Sequence, residues 1–274
     1  MTNVQLLSLK KDTQTFLEKS SMEVLGAKAG VGKLVIDNLL AENFTAIEDR
    51  HIKMIQRVVK KEFTNGLYRT SDCLAFMDAA ADAVKYKLMI GITGDTGAGK
   101  SYMSTAIAKK ENVYYYNVHL KKSPRIFFQD LLQNMNIPFS GNMSELIDKV
   151  SKQLNTMEKP LLILDEFDKA HKDIRAAVHT LRDRTMENCG LLLVGMPALK
   201  NDLMRGKDAG KPGYAEFARR VNIWHHLEGL RPDEIKKVLH DSGITDAELV
   251  REYKQYKSFG ELVNAINLYK RLND

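Results

Sequence analysis

Lys87 to Ser101 reads KLMIGITGDTGAGKS, and its second half, Gly94-Asp95-Thr96-Gly97-Ala98-Gly99-Lys100-Ser101, has the spacing G-x-x-x-x-G-K-[ST]. The apolar run Leu88 to Ile92 before it predicts a strand, and Tyr102 to Lys110 after it predicts the opening of a helix. Strand, glycine turn and helix in that order build a phosphate cradle. Glycine lets the backbone wrap its N–H groups around phosphate oxygens, and the helix adds the positive end of its dipole. On this reading Gly94 to Tyr102 line a nucleotide, Lys100 reaches its β and γ phosphates, and the Ser101 hydroxyl ligates Mg²⁺, so ATP and Mg²⁺ are the expected cofactors. The competing reading is a glycine-rich turn with no ligand. The two separate on whether the acids that this chemistry needs appear downstream.

They do appear. Lys159-Pro160 introduces Leu161-Leu162-Ile163-Leu164-Asp165-Glu166, a buried strand that ends in two carboxylates. In a phosphate-loop enzyme Asp165 belongs to the Mg²⁺ shell and Glu166 polarises the water that attacks the γ-phosphate. Between the two motifs the pattern predicts a strand at Val113 to Val118, a helix at Ser123 to Met135, a loop at Pro138 to Asn142 and a helix at Met143 to Asn155. Beyond them come a helix at Asp168 to Glu187, a strand at Leu191 to Val194, a glycine-rich basic loop at Met204 to Gly213, and a strand at Asn222 to His226. Phe217-Ala218-Arg219-Arg220-Val221 precedes that last strand. Arg219 or Arg220 can point across a subunit boundary at a neighbour's γ-phosphate, a finger worth roughly 10³ to 10⁵ in rate. A surface or DNA-facing pair of arginines fits the same letters. From Arg231 onward the pattern is helical, which suits a small lid. Strands alternating with helices predict an α/β fold, a parallel sheet flanked by helices on both faces with the nucleotide at the strand carboxyl ends. A single protomer would leave that site half open, so the expected active form is a homo-oligomer, a ring or a helical filament.

The first sixty residues read differently. Val4, Leu6, Leu7, Leu9, Phe16 and Leu17 fall at helical spacing. Ser20 to Leu40 then carries apolar Leu25, Ala29, Val31, Ile36 and Leu39, with Gly26 where two helices would cross and Gly30 at a sharp turn. That is a helix-turn-helix pattern, whose second helix enters the major groove near Lys33, Leu34, Asp37 and Asn38. A plain helical bundle fits it as well. Arg50 to Lys61 adds a basic helix face that could meet phosphates or only solvent. Ala27 to Lys33, AKAGVGK, imitates a second phosphate loop, but no strand precedes it and Leu34 stands where the metal-binding hydroxyl is needed. Glu62 to Gly66 reads as a linker, Thr70-Ser71-Asp72 as the cap of a helix through Ala83, and Leu67 to Thr70 as a segment that could flank the base. The domains expected are 1–62, helix-turn-helix; 63–230, nucleotide-binding; 231–274, helical lid.

With 274 residues and a net charge of +6, the chain has room for one large core and a small extra domain, and its partners tilt towards a polyanion. No apolar run reaches membrane-spanning length, and the N-terminus lacks a signal-peptide pattern. Cys73 and Cys189 make neither a metal cluster nor a disulfide framework, so a cytoplasmic protein is expected, and no histidine stands in an H-E-x-x-H arrangement, so zinc is not. The loop after the second strand, His119 to Arg125 with Lys121, Lys122 and Arg125, is the best DNA stripe, followed by Lys169 and Lys172.

GDTGAGKS at 94–101, NVYYYNVHL at 112–120, LLILDEFDKA at 161–170, LLLVGMP at 191–197 and EFARRV at 216–221, in this order behind a helix-turn-helix, resemble the phage Mu transposition protein B family. These are AAA+ P-loop ATPases, also similar to TnsC and more distantly to the IstB and DnaC loader group. The resemblance implies a bacterial or phage-encoded ATPase that polymerises on double-stranded DNA without sequence preference and delivers it to a partner transposase. It carries over Lys100, Ser101, Asp165 and Glu166 for nucleotide and metal, and Arg219 or Arg220 for the finger. Two departures stand out. The family has a polar residue after the fourth strand where this chain has Gly195-Met196-Pro197, and some members carry a lid arginine where Gly260-Glu261-Leu262 is followed by Val263. Slow hydrolysis, with ATP as an assembly switch, is the expectation. A helicase-loader ATPase and an ATP-gated transcriptional regulator are the alternatives.

Overall fold

Two stretches of chain build separate cores in the computed structural model, Met1–Tyr68 and Arg69–Asp274, and the structure describes residues 3–17, 20–63, 68–118 and 123–273. The first unit is all helical: α1 (Asn3–Leu17), α2 (Met22–Ala29), α3 (Lys33–Leu40), a 3₁₀ turn at Phe44–Ala46, and α4 (Asp49–Phe63). Ser21 caps α2 by accepting the Val24 N–H, and Gly30 ends it at φ +65°. A Cβ on Gly26 would lie 2.9 Å from the Val31 carbonyl, so the residue is small where α2 and the turn before α3 meet. Leu9, Leu25, Ile36, Leu39, Ile55 and Val59 fill the space between these helices. Glu62 and Phe63, expected in a linker, are the last two residues of α4; Thr64, Asn65, Gly66 and Leu67 lie outside the described residues.

The second unit runs α5 (Ser71–Tyr86), β1 (Met89–Gly94), α6 (Lys100–Ile107), β2 (Val113–Asn117), α7 (Pro124–Asn134), α8 (Met143–Thr156), β3 (Leu161–Asp165), a 3₁₀ turn (Phe167–Lys169), α9 (Lys172–Thr185), β4 (Gly190–Gly195), α10 (Ala198–Asp208), α11 (Tyr214–Arg220), β5 (Ile223–Leu227), α12 (Pro232–Asp241), α13 (Ala247–Tyr253) and α14 (Phe259–Asn273). The five strands form one parallel sheet in the order β2-β3-β4-β1-β5. Every residue of β1, β3 and β4 is buried, the mark of central strands covered on both faces. Alternation sends Leu162, Leu164, Leu191 and Leu193 into the core shared with α7, α8 and α9. The register partners Leu161 and Gly190 face the other way, and there a Cβ on Gly190 would sit 2.5 Å from the Ala83 carbonyl of α5.

Strand order fixes where a ligand can enter. The chain leaves β1 through α6 towards β2, then returns through β3 and β4 to β5. Right-handed crossovers in opposite directions put α6 and α7 to α11 on opposite faces, so a crevice opens between the carboxyl ends of β1 and β4. The phosphate-loop glycines follow β1 directly.

Two expectations need correcting. The helix expected over Asp168 to Glu187 is split: Glu166 takes a left-handed conformation at φ +54°, a 3₁₀ turn follows, and α9 begins only at Lys172 behind His171 as its cap. The basic loop expected over Met204 to Gly213 is helix α10 through Asp208. Gly206 reads as a breaker, yet it lies buried inside α10 because the Tyr214 ring packs on it; a Cβ there would be 2.0 Å from that ring.

Candidate nucleotide site

Gly97 and Gly99 both sit at positive φ, +81° and +82°, conformations that side chains rarely adopt. Gly97 has a second reason to be glycine: a Cβ would stand 2.1 Å from Ser258 Oγ. Gly99 is the cap residue of α6 and offers no side chain to its first turn, so those N–H groups remain for an incoming anion. Asp95, Thr96, Ser101 and Tyr102 are exposed around the turn, Ala98 donates its N–H to Asp95 O at 3.2 Å, and Gly94 closes β1 beneath it.

Lys100 folds back over this turn. Its Nζ donates to Gly94 O at 2.6 Å and to Asp95 O at 2.8 Å, and lies 3.9 Å from Met196 Sδ. Burial pulls its pKa below the usual lysine range, and the carboxylates of Asp165, Asp168, Asp95 and Glu166 push it back up. A half-buried ammonium near several carboxylates, held by two carbonyls and a thioether, is ready to exchange them for phosphate oxygens.

Asp165 ends β3 at 1% exposure. Its Oδ1 accepts the Glu166 N–H at 2.9 Å, and its Oδ2 accepts the Tyr115 hydroxyl at 3.0 Å. Glu166 is partly exposed, and Lys169 Nζ lies 2.9 Å from its Oε2. Lys169, expected on DNA, is thereby placed at the rim of the nucleotide site. Asp168 approaches from the same 3₁₀ turn and accepts the Met196 N–H at 3.0 Å. A Cβ on Gly195 would come within 2.5 Å of Asp168 Oδ1, which explains the glycine at the end of β4.

The donor set fits Mg²⁺ brought by phosphates. Among the described residues no group of three or more His, Cys, Asp or Glu side chains could cage a metal. One buried carboxylate and one hydroxyl, with phosphate oxygens and water completing the octahedron, is how Mg²⁺ is usually held at such sites. When bound, Mg²⁺ would share with Lys100 the neutralisation of the phosphate charge.

The C-terminal helices reach the same place. Gly260 at the start of α14 donates its N–H to Gly97 O at 2.9 Å, and Leu230 donates to Lys257 O at 2.8 Å. At the start of α5, Asp72 accepts the Glu228 and Gly229 N–H groups at 3.0 and 2.8 Å, and the Glu234 carboxylate of α12 accepts the Ser71 N–H. Burial opposes both acids. It prevails at Asp72, whose pKa is raised; at Glu234 the hydrogen bonds from Arg231 and Ser71 prevail, and its pKa is lowered.

Other expected residues lie elsewhere. Arg219 and Arg220 end α11, just ahead of β5, whose Ile223 is level with Ile90 near the start of β1. They therefore stand at the opposite end of the sheet from the glycine turn, about 15–20 Å away at the rise of a strand. Arg220 Nε binds Asp183 at 2.5 Å, which leaves exposed Arg219 as the finger candidate. Arg125 and Lys172 are exposed in the first turns of α7 and α9. Lys33 is exposed at the start of α3, while Asn38 is half-buried and its side-chain oxygen accepts from Asn43. His119, Leu120, Lys121 and Lys122 lie outside the described residues. The sequence reading missed Tyr115, Asn117 and Asp168. Only Asp168 left a signal, as the third acid of Asp165-Glu166-Phe167-Asp168.

Residues 83–203 match the AAA domain family. This is the AAA+ P-loop NTPase fold. In comparisons of structure, the AAA+ core is similar to AMPPCP-bound DnaA from Aquifex aeolicus, at 15% identity and TM-score 0.52 over 76% of this chain and 64% of that one. It is also similar to the Aeropyrum pernix ORC1 protein in complex with DNA, at 12% identity and TM-score 0.52 over 74% and 60%. A Walker-type ATPase of Pyrococcus abyssi matches at 12% identity and TM-score 0.53 over 77% and 69%. The chain thus spans less than two thirds of the DnaA and ORC1 chains, and at these identities the likeness is one of fold. No curated protein matches the sequence. No helix among the described residues is long and apolar enough to cross a membrane.

Proposed function

We propose that this chain is an ATPase that binds duplex DNA without sequence preference, assembles along it as a ring or helical filament when ATP is bound, and delivers that DNA to a partner transposase. The observation that carries the reading is the convergence of Lys100, buried Asp165 and Glu166 at the glycine turn between β1 and α6. Gly97, Gly99 and the first turn of α6 take the phosphates, Lys100 balances their charge, and Ser101 with Asp165 holds Mg²⁺. Glu166 takes the proton of the attacking water. Arg219, remote from its own site and exposed, supplies the missing cation to a neighbouring protomer, which ties hydrolysis to assembly. Met196, whose sulfur lies 3.7 Å from Thr96 Oγ1, puts a thioether where a polar group would align the water, and this supports slow turnover. The transposase rests on the motif order and its resemblance to the transposition protein B family.

Lys33 in the first unit and Arg125 and Lys172 in the second are exposed cations that would meet phosphates; Lys121 and Lys122, outside the described residues, are given the same role. The net charge of +6 favours such contacts, and they predict binding that weakens steeply with salt and ignores sequence. Binding of labelled random duplex with ATP or ADP tests this. Tight ATP-dependent duplex binding is expected; a strong preference for single strands would favour a helicase loader, and a footprint at one sequence a regulator. In direct ATP-binding and turnover measurements, Lys100→Ala weakens ATP binding by at least about 30-fold, the loss of a half-buried charge contact of roughly 2 kcal/mol or more. Glu166→Gln keeps ATP and DNA binding while turnover falls by about 10² to 10⁴. Undiminished turnover in Glu166→Gln would remove the role given to that carboxylate.

A further inference from the structure

The carboxylate at the end of β3 does not stand unassisted. Tyr115 on β2 donates its hydroxyl to Asp165 Oδ2 at 3.0 Å, and Asn117 Nδ2 donates to the Tyr115 oxygen at 3.4 Å. β2 and β3 are parallel with Asn117 level with Asp165, and the two-residue period puts Tyr115 and Asn117 on one face. Tyr116 points the other way and gives its hydroxyl to Asp130 Oδ2 at 3.0 Å. Asn117 Oδ1 is buried with no hydrogen-bond partner among the described residues. The amide therefore engages its neighbours through its N–H₂ end, aimed at Tyr115.

We propose that Tyr115 is a positioning residue for the divalent cation that accompanies the triphosphate, acting through Asp165, with Asn117 setting the direction of its hydroxyl. This deepens the Mg·ATP reading of the site and rests on it. A tyrosine hydroxyl has one hydrogen to give. With Asn117 occupying its acceptor side, that hydrogen goes to Asp165. The second oxygen of the carboxylate is held by the Glu166 N–H, so each oxygen has a donor and the group is biased to one orientation. Its lone pairs not used by these donors keep one direction whether or not a cation is present, and the cation meets a fixed ligand rather than one it must order. Such outer partners of metal ligands are typically worth 10- to 100-fold in metal affinity. Tyr115 touches neither nucleotide nor water in this scheme; its effect passes through Asp165.

The test uses the full chain and a fluorescent ATP analogue, titrated with MgCl₂ from an EDTA-containing start. Tyr115→Phe removes the hydroxyl and keeps the ring. It is expected to bind the metal-free analogue as the wild type does, but to need about ten times more Mg²⁺ to reach half of the Mg²⁺-dependent gain in affinity. Tyr116→Phe, which deletes an equally bonded hydroxyl on the same strand, keeps the wild-type midpoint. Asn117→Ser shifts the midpoint in the same direction by less, and it carries the test independently should Tyr115→Phe fold poorly. An unchanged or lower midpoint in both Tyr115→Phe and Asn117→Ser, or an equal shift in Tyr116→Phe, would overturn the inference while leaving the nucleotide site intact. A wild-type protein that binds the analogue with no Mg²⁺ dependence would overturn the metal reading as well.

Discussion

Arg220 and Arg219 are adjacent in sequence and differ in what holds them. The hydrogen bond from Arg220 pulls the Asp183 carboxyl below the ordinary aspartate value, against a smaller opposing effect of burial. A carboxylate depressed in the native state leaves the unfolded chain with more bound protons in acid. The pair therefore contributes fully above the ordinary aspartate value near ~3.9 and loses its contribution as pH falls through the lower native value. Because Asp183 is partly exposed, the contribution is a few tenths to about 1 kcal/mol. Urea unfolding of wild type and Arg220→Ala should differ by that amount at pH 6, and the gap should narrow progressively as pH falls below the ordinary aspartate value near ~3.9; a constant gap would mean that packing, not charge, is lost. Arg219→Ala should instead leave stability and ATP binding alone and lower DNA-bound turnover by about 10³ or more. An equal loss in Arg220→Ala alone, with Arg219→Ala unaffected, would reverse the assignment.

Elements differ in how plainly the sequence announces them. β1, β3 and β4 were legible because strands buried on both faces are uninterrupted apolar runs, and the glycine turn and the Asp165-Glu166 pair follow two of them directly. The Thr70 cap of α5 was legible for a local reason too, its side chain accepting the Cys73 N–H at 3.1 Å. α10 was not, because Gly206, Gly210 and Gly213 look alike in sequence. Gly210 and Gly213 take positive φ, whereas Gly206 is helical and exists to admit a ring from α11. Only the packed structure separates a glycine needed for its backbone from one needed for its missing side chain. The same limit hid Tyr115: alternation says which face it takes, but not that its hydroxyl reaches past the level of Ile163 to Asp165. Gly206→Ala tests the packing claim. Helix propensity alone favours alanine by about 1 kcal/mol, yet the crowding against Tyr214 should produce a net loss of about 1–2 kcal/mol, read as a lower urea midpoint at unchanged slope. A stabilised Gly206→Ala would show that the Tyr214 ring moves aside freely.

At the scale of the whole molecule, the AAA+ core carries its glycine turn at one end of the sheet and Arg219 at the other. The proposed function joins the two by repetition, each copy offering its arginine end to the next copy's nucleotide. α14 touches the turn through Gly260 and Gly97, and under the proposed function the helices of the 231–274 segment would act as a lid over a nucleotide bound there. The N-terminal helices and the exposed cations of the core would then recur once per protomer along the phosphates. The most direct measurement is electron microscopy of the purified protein with duplex DNA, in ATP, in ADP and without nucleotide. Regular rings or filaments on DNA with ATP alone, absent in Lys100→Ala and persistent in Glu166→Gln, are predicted; assemblies in all three conditions, or isolated monomers beside the DNA in all three, would contradict the account.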